Sequence, residues 1–296
     1  MQNHWVHRLV TGGAAALLIS TVLFAQAKER VAYVTAWDEK THAPVTGLGP
    51  DAFNVREDAV RREVLRVEPA TSPMPVAILV DNTQAARNNI SDIRRALTTF
   101  VTALDGIGPI AIVGVADRPT ILQDYTTNQA LLLAGVGKVF AMPGSGATLL
   151  DAIVETSKGL EHREEDRAAL VVLTLENREF STRHYTEVLE GLAKGGAQMH
   201  VVVMTTRAGM SLEDEARNRA NVLDRGPKES GGTHEDVLTS QAFEPKMKEL
   251  AAALKSQHKV IYSRPEMLIP PEKFEVKSTK DTIEMSGGQA RHQAVR

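Results

Sequence analysis

Continuous apolar runs of strand length punctuate the chain at 76–80, 110–116, 169–173, 201–204 and 260–262. Strands covered on both faces read as unbroken apolar runs, whereas half-exposed strands alternate. Between these runs, apolar residues recur at helical spacing. Ile90, Ile93, Leu97, Phe100, Val101 and Leu104 share one face, as do Leu149, Leu150, Ile153, Val154 and Leu160, and again Met247, Leu250, Ala251 and Leu254. Strands alternating with helices predict an α/β fold: a doubly wound, mainly parallel sheet with helices on both faces.

Upstream the pattern differs. Residues 31–37 are rich in strand formers, and 53–56 and 64–67 alternate, with Pro44 and the Gly47 to Pro50 stretch supplying turns. These features predict a small antiparallel β unit over 28–72, joined by the Pro-containing stretch 71–75 to an α/β domain over 73–265. Within that domain, 207–235 is polar. Ser211-Leu212-Glu213-Asp214 fits a capping box opening a short surface helix, and Gly226-Pro227 and Gly231-Gly232 are expected to break the rest of that stretch. The remainder, 266–296, holds one strand candidate at 274–276 and a polar end from 289 expected to fray. No internal repeat is visible.

Residues 1–27 stand apart. His4, His7 and Arg8 precede an apolar stretch, and Ala25-Gln26-Ala27 meets the small-x-small rule for signal peptidase. The apolar stretch is short for a membrane span, so a signal peptide is expected, with an uncleaved anchor as the alternative. No Cys follows it, which excludes lipid attachment there. The absence of Cys throughout also excludes disulfides, thiol catalysis and zinc–thiolate sites. A net charge of -3 and 4% aromatic residues give no basis for a nucleic-acid partner.

Several stretches carry a resemblance. Val45-Thr46-Gly47-Leu48 followed by Asp51-Ala52-Phe53-Asn54-Val55-Arg56-Glu57-Asp58, then Asp124-Tyr125-Thr126, Gly146 to Ile153, and Gln257-His258-Lys259-Val260-Ile261-Tyr262 occur in order and at sensible spacing. Together they resemble the von Willebrand factor A (VWA) domain, and more narrowly a VWA-related family of exported proteins typical of acidobacteria. The resemblance departs at Ala52, which is inserted, and at Ala59, where the family has Gly. It implies a Rossmann-like central sheet with one antiparallel edge and a metal-ion-dependent adhesion site at the carboxyl ends of the strands, where ligands gather in open α/β sheets.

That site implies D-x-S-x-S after the first strand, a Thr from a later loop and an Asp after the fourth strand, holding a hard divalent ion by oxygens. Here Asp81 and Thr83 keep the first two positions, but Ala85, Ala147 and Leu175 occupy the others. Thr148 and Glu176 sit one place late, and on a helix start one place means another direction. A lone Asp and hydroxyl would hold Mg²⁺ weakly, so no cofactor is expected, and Asp81 is read as a cap or as an acceptor of backbone N–H groups. The alternative is an Mg²⁺ site rebuilt from Asp81, Thr83, Thr148 and Glu176.

No complete catalytic set is present. The Gly-rich loop 143–148 lacks the lysine of a P-loop, and neither H-E-x-x-H nor G-x-S-x-G occurs. His200 reads as a core-edge histidine, and 231–236 as a polar loop leading into a helix. The expectation is an exported, periplasmic or secreted, non-enzymatic protein-binding or adhesion module with a degenerate metal site. Its docking face would comprise Asp81, Asn82, Thr83, Gln84, Ser145, Thr148, Glu176 and Asn177. A structural role in an envelope assembly, or an enzyme acting on envelope polymers, are the other classes.

Overall fold

The structure is a computed structural model and describes residues 27–205, 213–265, 269 and 271–292. The expected signal segment falls on residues 1–26 and Ala27; its first 26 residues, and the Ser211 and Leu212 positions of the expected capping box, lie outside the described residues. Strands β1 (Ala27–Asp38), β2 (Phe53–Glu57), β3 (Val60–Arg62) and β4 (Val64–Pro69) come first. The α/β part then runs β5 (Val76–Val80), α1 (Ile90–Ala103), β6 (Ile110–Gly114), β7 (Thr120–Thr126), α2 (Gln129–Gly137), α3 (Leu149–Glu161), β8 (Ala169–Leu175), α4 (Tyr185–Gly195), β9 (Gln198–Met204), α5 (Asp214–Ser230), β10 (His234–Val237) and α6 (Phe243–Lys255). Strands β11 (His258–Pro265), β12 (Phe274–Ser278) and β13 (Ile283–Gln289) close it.

A six-stranded sheet in the order β10-β9-β8-β5-β6-β7 forms the centre. Its pairings are parallel except β6–β7, the antiparallel edge that the resemblance implies. Every residue of β5 and β8 is buried. Alternation along β5 divides the core in two. Val76, Ile78 and Val80 pack with α1, α2 and α6, while Ala77 and Leu79 pack with α3, α4 and α5. The helices read from the sequence are those observed as α1, α3 and α6. The strand candidate at 274 joins the N-terminal strands, since β12 pairs with β2 in a three-stranded sheet of order β12-β2-β3.

Three sequence readings are corrected. The 260–262 run is not a central strand. As β11 it lies between β1 and β4 in a four-stranded antiparallel sheet of order β13-β1-β11-β4. Its alternate residues, Val260 and Tyr262, enter a third core with Ala32, Val34, Phe53 and Val55, so the apolar run reflects a different pair of covering layers. The stretch 231–236, read as a polar loop leading into a helix, instead runs into the sixth central strand, β10, which pairs parallel with β9.

The third correction is α5, a 17-residue helix that continues through Gly226-Pro227. Pro227 has no N–H for the Leu223 carbonyl, the usual reason a helix stops. His234 supplies the missing donor: its Nδ1 lies 2.7 Å from Leu223 O, so the ring carries its proton there. Gly226 allows the helix to lie close on β9, where an added Cβ would stand 2.6 Å from Met199 Sδ. This descent of α5 onto the sheet brings Arg219 to the carboxyl end of β8.

Candidate functional site

At the carboxyl ends of β5 and β8, Asp81, Thr83 and Thr174 are fully buried. Asp81 Oδ1 accepts from Thr83 N (3.0 Å) and Thr83 Oγ1 (2.7 Å). Its Oδ2 accepts from Thr174 Oγ1 (3.1 Å), Leu175 N (3.2 Å) and Asn177 Nδ2 (2.6 Å). An ionised carboxylate offers about four lone-pair directions, and these donors use them. Thr83 Oγ1, donating to Asp81, accepts in turn from Asn177 Nδ2 at 3.0 Å.

A cation already serves this cluster. Arg219, 5% exposed, reaches in from α5. Its Nη1 donates to Asn177 Oδ1 (2.6 Å) and Glu179 Oε2 (3.4 Å), and its Nη2 to Thr174 Oγ1 (2.7 Å) and the Leu175 carbonyl (2.7 Å). Burial raises the Glu179 carboxyl above its usual range, and the charge of Arg219 offsets part of that rise. Sequence reasoning missed Thr174, Glu179 and Arg219. The signal was present for the last: Arg219, Val222, Leu223 and Gly226 fall at i, i+3, i+4 and i+7, so the arginine belongs to the inward stripe of α5.

The other expected site residues divide. Thr148 is buried and its hydroxyl donates to the Val115 carbonyl at 3.3 Å. Glu176 is exposed. Of the expected rebuilt set, Asp81 and Thr83 share a hydrogen bond, while Thr148 is turned to the Val115 carbonyl. Ala147 and Leu175 are buried and Ala85 is exposed. Asn82, also buried, ties two loops: its Oδ1 accepts from Ala116 N (3.0 Å) and its carbonyl from Met142 N (2.9 Å). Ser145 is buried; its Oγ accepts from Gln84 N (3.2 Å) and donates to Met142 O (2.8 Å). Gln84 is exposed and accepts from Gly144 N at 3.2 Å.

The donor set does not fit a divalent ion bound as the resemblance implies. Such an ion needs lone pairs on Asp81 and a hydroxyl beside it, and here protein N–H and O–H groups occupy both. Among the described residues no group of three or more His, Asp or Glu is placed to share a metal.

Around this closed polar centre the rim is apolar. Phe140, Met142 and Phe180 are 62%, 42% and 47% exposed. Phe180 lies over Gly146, where an added Cβ would meet its ring at 2.3 Å, and Phe180 N donates to Ala147 O at 2.7 Å. Arg94 stacks over Phe140 at 4.0 Å from the ring centroid, and Arg178 stands 5.6 Å from that of Phe180.

A cavity of about 310 Å³ opens elsewhere, where α6 and the β9–β10 edge meet the four-stranded sheet, and shares no lining residue with the rim. His200 lines it, pairs through Nδ1 with Thr233 Oγ1 at 3.0 Å, and is pushed by burial down to about 4.

No protein-family model matches the sequence, and no curated protein does. Solved structures match the fold. A von Willebrand factor type A protein from Catenulispora acidiphila aligns at TM-score 0.50 and 10% identity, over 88% of this chain and 62% of that one. BatB from Bacteroides thetaiotaomicron aligns at TM-score 0.47 and 15% identity, over 62% of this chain and all of that one. A proximal thread matrix protein of the mussel byssus, with a zinc-occupied MIDAS motif, aligns at TM-score 0.45 and 14% identity, over 67% of this chain and 49% of that one. The fold is that of a VWA domain, extended by antiparallel sheets built from both ends of the described chain.

Proposed function

We propose that this chain is an exported protein-docking module of VWA type whose docking face works without a resident divalent ion. The reading rests on one observation above all. The loops at the carboxyl ends of the central strands expose Phe140, Met142 and Phe180 around a polar centre whose lone pairs are already used. Exposed apolar side chains that cluster on well-tied loops mark interaction surfaces. The hydrogen bonds linking Gln84, Gly144 and Ser145 tie those loops together. Of the expected face, Gln84, Glu176 and Asn177 remain accessible to a partner, while Asp81, Asn82, Thr83, Ser145 and Thr148 act as its scaffold.

The signal-like composition of residues 1–27 supports export to the periplasm or beyond. No described helix is long and apolar enough to cross a membrane. The lack of a catalytic constellation supports binding rather than turnover, and fold alone would not.

Capture experiments with the immobilised mature protein in cell-envelope extract test this reading. The same partner should be retained in EDTA and in Mg²⁺, and Phe140→Ser/Phe180→Ser should release it. Retention that requires Mg²⁺ would overturn the ion-free part, and retention by the double variant would overturn the choice of face.

A further inference from the structure

We propose that the Arg219 guanidinium is a built-in substitute for a divalent cation, and that removing its side chain converts this rim into a site that takes Mn²⁺ or Mg²⁺. The proposal deepens the ion-free reading above by naming what does the ion's work.

Four oxygens converge on one guanidinium: Thr174 Oγ1 and the Leu175 carbonyl from β8, and Asn177 Oδ1 and Glu179 Oε2 from the loop after it, at 2.6 to 3.4 Å. Thr174 and Asn177 pass the contact on to Asp81, and Asn177 also to Thr83. All of these groups are neutral oxygens or carboxylates, the donor class that hard divalent ions select. The cation that holds them comes from α5, an element that supplies none of the oxygens. It is therefore separable from the donor set by a single substitution.

Position explains why the arginine excludes an ion in the native chain. A guanidinium offers a fixed fork of N–H donors and no acceptor. It orients Thr174 and Asn177 so that an O–H and an N–H point to Asp81 Oδ2, adding to the Thr83 and Leu175 donors that the carboxylate already accepts. Without the fork, Asn177 and Thr174 are released to rotate, and Glu179 is left as a buried carboxylate that has lost the Arg219 counter-charge. A buried carboxylate stripped of its counter-charge is costly, and a divalent ion relieves that cost. Loss of the arginine thus creates both the space and the electrostatic demand for a metal.

Thermal melts of the purified full chain test this, in EDTA and with about 5 mM Mn²⁺ or Mg²⁺, since an ion that binds the folded form alone raises Tm. The wild type should melt identically in all three. Arg219→Ala should melt several degrees lower in EDTA and recover most of that loss in Mn²⁺, and Glu179→Gln added to it should abolish the recovery. Arg219→Lys, which keeps a cation, should respond little to metal. If Arg219→Ala does not fold in EDTA, refolding in Mn²⁺ replaces the melt: soluble protein only with metal supports the proposal, and none under either condition overturns it. A wild type stabilised by metal overturns it, as does an Arg219→Ala protein indifferent to both ions, for the arginine would then be a plain tie. No partner enters this experiment, so its failure leaves the docking face standing, and loss of the docking face leaves this result standing.

Discussion

At Asp81 the neighbours set the chemistry. The same aspartate that closes a five-residue apolar strand could serve as a metal ligand or as a hub for protein donors, and its surroundings supply Thr83, Thr174 and Asn177 as donors. The sequence identified Asp81 and Thr83 and the loss of oxygen at Ala85, Ala147 and Leu175. It did not disclose Arg219, which lies 138 positions beyond Asp81 and reaches it in the fold through Thr174 and Asn177. His200 makes a second case at this scale. Its folded pKa of about 4 lies below the ordinary value of 6.5 because burial disfavours the imidazolium. Between these values the unfolded chain binds the proton and the folded chain does not, so stability falls as pH drops through that window. The loss amounts to about 3 kcal/mol by pH 4. Glu179, raised by burial, acts in the opposite sense. Urea unfolding of the wild type and of His200→Gln at pH 4 to 7 isolates the histidine: the wild type should lose about 3 kcal/mol more than the variant between pH 7 and pH 4, and parallel curves would refute it.

Helix α5 shows how an element can outlast its own breaker. Gly226-Pro227 marks a helix end on local rules, yet the helix runs to Ser230 because His234 donates to the carbonyl that Pro227 orphans. The turn after it is equally dependent on distant parts. Gly231 has φ +78°, and an added Cβ there would meet the Gly287 carbonyl oxygen of β13 at 2.0 Å. Local sequence shows the glycine pair but not what presses against it. A double-mutant cycle addresses the Pro227–His234 pair. His234→Ala alone should cost about 1–2 kcal/mol, the usual penalty for leaving a buried carbonyl unmet. With Pro227→Ala the backbone N–H returns, and the cost of His234→Ala should shrink by at least half. Equal costs in the two backgrounds would show that the His234 bond does not compensate the proline.

Across the whole molecule, the two ends of the described chain are woven together. Strand β1 lies between β11 and β13, and β12 pairs with β2. Glu57 of β2, fully buried, pins this arrangement. It forms ion pairs with Arg62 (2.9 Å) and Arg264 (3.0 Å) and accepts from Tyr262 Oη and Gln289 Nε2, both at 2.9 Å. Glu57→Gln should lower stability by about 3 kcal/mol, because it removes a fully buried charge that is ion-paired to Arg62 and Arg264. Chemical denaturation measures this, and a change under about 0.5 kcal/mol, typical of surface sites, would refute it. Local pattern was enough to specify the class of fold, the central strands β5, β6, β8 and β9, and the helices α1, α3 and α6, because strand and helix periodicity is written locally wherever a face must be covered by apolar residues. It took the assembled chain to send 260–262 out of the central sheet, to bring 234–237 into it, and to fill the rim with an arginine. Those outcomes depend on which surfaces meet across long separations, and a buried charge or a short polar strand is stable only once its partners have been brought to it.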